Sequence, residues 1–337
     1  MRIRYLLIGL SSLLLPACIK PAEEPSQVSV SFRLSREETK VTGASYMQES
    51  AVIRWSVFVF DVRTGGFRYG SSADAAPVVF SLQAGRVYRC LALANYPLTG
   101  PGALDPASVS SAEDLTEKVA GLDDNEPGKL LMYGESMLMP VPGEGEKTIL
   151  VRRLVSRLEV RDISVDFSSC PEWTGKTLLL RHLYITNAYK TTRYGEDVTS
   201  VSPARSSWYN SLGWHGGGDV SASMDALLGD RDLNVAIDES HPYSAVHSFY
   251  FYPNPVEEDS YRTDSWTPRH TRLVLEASVD GETYYYPIDI PPAGRNSVFS
   301  ATGIVIHGPG WEHPEGGTIS GSMIDVAWDV AESIILD

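Results

Sequence analysis

The residues with the most specific chemistry in this 337-residue chain stand at its beginning. Met1-Arg2-Ile3-Arg4 is a short basic head, Tyr5 to Leu15 is apolar, and Leu15-Pro16-Ala17-Cys18 follows. A basic head, an apolar stretch too short to span a bilayer and a small residue before cysteine make a secretory signal. The ending makes it a lipoprotein signal: cleavage before Cys18, then acyl chains on its sulfur and on the new amino group. Pro16 is a mild departure from that pattern, and an ordinary signal peptide with an incidental cysteine is the other reading. Lipidation would carry the mature chain out of the cytoplasm and tether it to a membrane.

The remaining chemistry is sparse. The chain contains no Gly-x-Ser-x-Gly, His-Glu-x-x-His, phosphate-binding glycine loop or Cys-x-x-Cys. We therefore expect no catalytic residue, cofactor or dedicated metal site. The seven histidines are scattered; His307 and His313 flank Gly308-Pro309-Gly310-Trp311, read as a surface turn. Gly121-Leu122-Asp123-Asp124-Asn125-Glu126 gathers oxygen ligands without a calcium-loop pattern and reads as a solvated acidic turn. Cys90 and Cys170 could form one disulfide in an oxidising compartment, or Cys90 could be a buried free thiol. Trp208, Tyr209 and Trp214, in a polar stretch, are the candidate sugar contacts; the other aromatics sit at strand positions. The net charge of −15, from 28 basic and 43 acidic residues, argues against nucleic acid and anionic lipid surfaces as partners.

The elements that must position these residues read as strands. Residues 18–27 form a polar, proline-containing tether. Val28 to Leu34 alternates strictly, and Ile53 to Phe60 is rich in aromatic and β-branched residues. Strands follow at 78–82, 86–94 and 147–155, with one helix starting at Ser110-Ser111 and ending at Gly121. A change of unit falls near Arg152-Arg153. Strands at 157–167 and 177–187 precede a Gly- and Ser-rich insertion at 191–218. Further strands cover 244–252, 272–279, 284–288, 297–306 and 324–330, and Asp280-Gly281 marks a hairpin. Short strands, many turns and few helices predict an all-β chain of two Greek-key sandwiches, 28–152 and 153–337, behind a signal at 1–17.

The two ends carry matching stripes: Val28, Val30, Phe32 and Leu34 in the first strand, Ile324, Val326, Trp328 and Val330 in the last. If the first strand were removed, an apolar groove with unpaired edges would open, and the tail of another copy could fill it by strand addition. Such a head-to-tail contact does not close, so it builds a filament. Equally, both could be ordinary strands of separate sheets.

Several segments in order resemble landmarks of one family. They are the lipobox at Cys18; Glu38-Thr39-Lys40-Val41-Thr42-Gly43 after the first strand; Ser56-Val57-Phe58-Val59-Phe60-Asp61; and Leu93-Ala94-Asn95-Tyr96-Pro97. Leu131-Met132-Tyr133-Gly134, the run from Val151 to Val160, and Arg295-Asn296-Ser297 leading into Ile306-His307-Gly308-Pro309-Gly310 complete the set. Together they resemble the fimbrillins of Bacteroidetes type V pili over most of the mature chain. The resemblance implies two transthyretin-like β-domains, export as an outer-membrane lipoprotein, and removal of the first strand by an Arg-specific surface protease. Head-to-tail assembly with other fimbrial subunits would follow, with the C-terminal strand as donor. This sequence has Lys40 where the family has its cleavage arginine, so Arg33, Arg36 or a broader trypsin-like protease acting at Lys40 would have to serve. The expected role is a structural subunit of an adhesive fimbria. An anchor subunit, a tip adhesin and a glycan-binding surface lipoprotein are the alternatives.

Overall fold

Alternating side chains, short apolar runs and frequent turns put half of the described residues into strands and 6% into helix in the computed structural model. The structure describes residues 26–39, 51–100, 102–195, 201–211, 225–257, 267–292, 294–314, 323–331 and 333–335. Cys18, Lys40 and Trp214 lie outside them.

The strands are β1 (Gln27–Thr39), β2 (Arg54–Asp61), β3 (Phe67–Ala73), β4 (Val78–Gln83), β5 (Tyr88–Ala94), β6 (Val119–Gly121), β7 (Met132–Leu138) and β8 (Glu146–Arg153). Then come β9 (Ser156–Val160), β10 (Ile163–Val165), β11 (Leu178–Thr186), β12 (Ala188–Tyr189), β13 (Thr191–Arg193), β14 (Trp208–Tyr209), β15 (Gly229–Asp230) and β16 (Val235–Ile237). The last are β17 (His247–Phe251), β18 (Arg272–Val279), β19 (Glu282–Asp289), β20 (Val298–Ile306), β21 (Ile324–Ala331) and β22 (Ser333–Ile335).

An eight-stranded sheet runs β22-β1-β8-β7-β5-β2-β3, with β4 also on β1. Two five-stranded sheets follow, β10-β20-β9-β17 with β21 on β20, and β15-β11-β18-β19 with β16 on β11. The β12–β14 and β6–β13 pairs complete the set, and the latter joins the first half of the chain to the second.

Period-two alternation explains the core. On β2 and β5, Trp55, Val57, Val59, Cys90 and Ala92 face one apolar cluster, and Phe58, Phe60, Leu91 and Leu93 face another. A strand buried on both faces reads as an unbroken apolar run. The second cluster continues into Leu158, Phe249, Leu275 and Ile304 between the two five-stranded sheets.

Two local expectations change. The helix is only Ala112–Thr116, capped by Ser111, whose Oγ accepts from Asp114 N at 3.0 Å. The following residues leave it to form β6 against β13, so Gly121 ends a strand instead. The strand expected over 157–167 divides into β9 and β10 at Asp162, whose φ of 58° no extended strand accommodates. Asp280 and Gly281, with φ of 52° and 89°, make the left-handed two-residue turn that joins β18 to β19.

Candidate functional site

The candidate site is the slot that β1 occupies. Gln27 to Phe32 pair antiparallel with Gln83 to Val78 of β4, Ser31 to Arg36 pair parallel with Glu146 to Val151 of β8, and Glu37 to Thr39 pair antiparallel with Ile335 to Ser333 of β22. Alternation then points Val28, Val30 and Phe32 inward. Their exposures are 8%, 1% and 0%, and half-buried Leu34 packs against the same cluster. Phe32 meets Phe80 edge-on at 5.7 Å. Burying three such side chains contributes on the order of 5–9 kcal/mol as an upper bound. The outward face is polar: Arg33 pairs with Glu146 at 2.9 Å, both more than half exposed, a contact of small energetic weight.

β1 is the sole ladder partner of β4 among the described residues, and without it β8 keeps two pairs to β7, Met132 with Arg153 and Tyr133 with Arg152. Loss of β1 would therefore leave one edge that accepts a strand antiparallel and one that accepts it parallel. A replacement running in the direction of β1 satisfies both. Beneath the slot lies Cys90, fully buried, its thiol pushed up to about 12 by burial, with nearby Lys147 opposing the shift. Cys90 and half-buried Cys170 are both free thiols, which settles the disulfide question.

The last stripe is not a loose tail. β21 pairs antiparallel with β20, from Ile306 opposite Ile324 to Val298 opposite Ala331, with a register shift between Thr302 and Val305. Ile324 is buried, Val326 and Trp328 are half-buried against the C-terminal core, and Asp325 and Ala327 point out. Val330 stands opposite Phe299 in the ladder. The start of β21 is clasped by His307, whose N–H donates to Met323 O at 2.9 Å and whose Nε2 lies 3.1 Å from Asp325 Oδ2. Among the described residues β20 is its one ladder partner, so β21 is an edge strand of its own sheet.

Of the candidate sugar contacts, Trp208 is turned inward. Trp208 is 2% exposed, its ring lies 3.9 Å from that of Tyr189, and its Nε1 donates to Ser202 O at 3.1 Å. A polar setting in the sequence suggested exposure, but the β12–β14 pair turns this indole inward. Tyr209 is half-buried with Lys190 Nζ 5.0 Å above its ring. In the acidic turn, Asp124 Oδ2 accepts from Gly121 N at 2.8 Å, so the carboxylate closes its own loop. No cluster of three metal-ligating side chains occurs among the described residues.

Sequence reasoning missed β22, whose signal is the β-branched pair Ile334-Ile335 after Ser333. It also missed β3 and β7, where Gly70-Ser71-Ser72 and Gly134-Glu135-Ser136 interrupt the apolar pattern.

The overall fold recurs in solved structures. No family model and no curated protein matches the sequence. The structure superposes on a fimbrilin, FimA, of Porphyromonas gingivalis with a TM-score of 0.60 at 15% identity, covering 92% of this chain and 99% of that one. A candidate cell adhesion protein of Bacteroides eggerthii gives 0.63 at 16% identity, covering 91% and 96%. One from Parabacteroides distasonis gives 0.62 at 16%, covering 90% and 96%. The chain has the fimbrillin fold. That fold accounts for the all-β composition.

Proposed function

We propose that this chain is a structural, non-enzymatic subunit of a cell-surface fimbria that serves adhesion, and that its two sandwich units divide near Arg152-Arg153. In this reading Cys18 is lipidated and carries the precursor to the outer membrane. A surface trypsin-like protease cuts at Arg33, Arg36 or Lys40, β1 leaves, and the C-terminal strand of a neighbour takes its place. Repetition builds a head-to-tail filament.

The observation that carries the reading is the double ladder of β1. Its first half, Gln27 to Phe32, is core by burial, yet it comes first among the described strands, so one cut at any of the three positions detaches that half from the rest. The resulting slot would expose Trp55, Val57, Val59 and Ile149, an apolar floor that a monomer does not leave open to water. The donor has a cost to meet: residues 324–330 must be freed from β20 before they can pair elsewhere.

The test is to trim the full precursor with trypsin, sequence the new N-terminus and count filaments by electron microscopy. Filaments from the trimmed protein, with a start after Arg33, Arg36 or Lys40, are expected, and none from the uncut precursor. Trimmed protein that has lost β1 and stays monomeric overturns the reading. Surface-extracted protein that keeps β1 and an acylated Cys18 makes the chain an anchor subunit instead.

A further inference from the structure

We propose that the C-terminal strand β22 guards the processing segment, so that release of the tail and cutting of the first strand are one coupled event. The inference rests on the reading above, that a cut between Arg33 and Lys40 activates the chain.

The register divides β1 into three zones with different security. Residues 27–32 are held by six pairs to β4, and 31–36 by six pairs to β8. Residues 37–39 are held by three pairs to β22 and by no other strand among the described residues. A protease must grip an extended backbone whose edges are free, so a residue inside a ladder is cut only after local opening. Arg33 stands opposite Thr148 and Arg36 opposite Val151, both within the β8 ladder. Their side chains are exposed, but their backbones are engaged. The zone just after Arg36 and just before Lys40 is the weakest, because opening it breaks only the three-pair ladder to β22.

The geometry ties that opening to the donor. β21 ends at Ala331 on the C-terminal sheet, and β22 begins at Ser333 on the first sheet. The tail thus bridges the edge strand that would be donated and the segment that would be cut. Pulling β22 away uncovers Glu37 to Thr39 and at the same time removes the outer fastening of β21. In the resting precursor the contact works in reverse: it shields the cut segment and keeps the tail on its own chain.

The experiment uses the full precursor carrying Glu38→Cys and Ile334→Cys, whose Cα atoms are ladder partners, and a second variant lacking residues 333–337. Trypsin cleavage within 33–40 is timed against cleavage at Arg63, an exposed turn residue that serves as internal reference. The oxidised double variant should be cut within 33–40 at least tenfold more slowly than its reduced form, and the truncated variant several-fold faster than the unaltered precursor. Equal rates for oxidised and reduced forms, failure of the cross-link to form, or a truncated variant cut no faster would overturn the guard. Filament counts on the cut product report separately on the assembly reading. Guarded cleavage that yields a non-polymerising product overturns assembly alone, and equal rates with normal filaments overturn the guard alone.

Discussion

The first sheet holds β1 along both edges, with β4 on one side and β8 on the other, whereas the C-terminal sheet holds β21 along one edge. The apolar stripes of the two strands look alike in sequence, but their environments do not. Val30 and Phe32 are shut off from water, while Val326 and Trp328 remain half-open. The contrast has a mechanical meaning. Removing a central strand breaks two ladders and exposes a core. Removing an edge strand breaks one ladder and leaves a sheet that still stands. In the proposed reading this contrast makes the slot of β1 the acceptor and β21 the strand that is given up.

The largest expected effect separates the two stripes. Phe32→Ala should destabilise the precursor by about 3–5 kcal/mol, the usual range for truncating a fully buried phenylalanine. Trp328→Ala removes more atoms but only a half-buried surface, so the expected loss is about 1–2 kcal/mol. Urea unfolding of both variants measures the difference. Equal losses would mean that β21 is as integral to its sheet as β1, and would weigh against its use as a donor.

A second effect is read on the slot itself. In the precursor, burial holds the Cys90 thiol protonated and inaccessible, so a thiol reagent at pH 8 should leave it unlabelled. After trimming and removal of β1, labelling should rise at least a hundredfold, and amide exchange should quicken in β4 and β8 but not in β20. If Cys90 stays protected once β1 is gone, the core closes over the vacancy and no groove is presented. Refilling the slot with a peptide of residues 27–36 should restore protection.

How much of this was readable beforehand follows the physics of each element. β1 was legible because one face is core and the other solvent, so Val28, Val30 and Phe32 alternate with Ser29, Ser31 and Arg33. β2 and β5 were legible as strands, but not as two-faced walls between clusters, since an unbroken apolar run does not say which face meets what. The stripe of β21 was correct as a pattern, and its partner was not readable, because register between distant strands is a tertiary property. Trp208 misled for a related reason: its neighbours in sequence, Ser206, Ser207 and Asn210, are polar, while its neighbour in space is Tyr189. β22 escaped because three residues are too few to show a period.

The smallest expected effect concerns the polar fastenings of the two regions. Asp61, at the end of β2, has a side chain 7% exposed and takes Arg86 Nη1 at 2.7 Å, whereas Asp325, at the start of β21, is 63% exposed beside His307. The hydrogen bond from Arg86 is the main force holding the Asp61 carboxyl below its usual range; burial opposes it, and the N–H groups of Thr64 and Arg63 assist. A carboxylate whose folded pKa is depressed stabilises the fold above its unfolded pKa of about 3.9, and that contribution is lost as pH falls through the lower folded value. Asp61→Asn should therefore cost about 1 kcal/mol at pH 7, toward the low end for charged hydrogen bonds because Arg86 is partly exposed. It should also flatten the decline of stability as pH falls below about 4. Asp325→Asn, at an exposed pair, should cost only a few tenths of a kcal/mol at pH 7. Unfolding free energies of the precursor at pH 7 and along the acid limb supply the comparison. A larger loss for Asp325→Asn would mean that the His307 clasp secures β21 more firmly than a one-edged strand requires. Parallel acid limbs for wild type and Asp61→Asn would mean that the Asp61 carboxylate is not held by the folded first sheet.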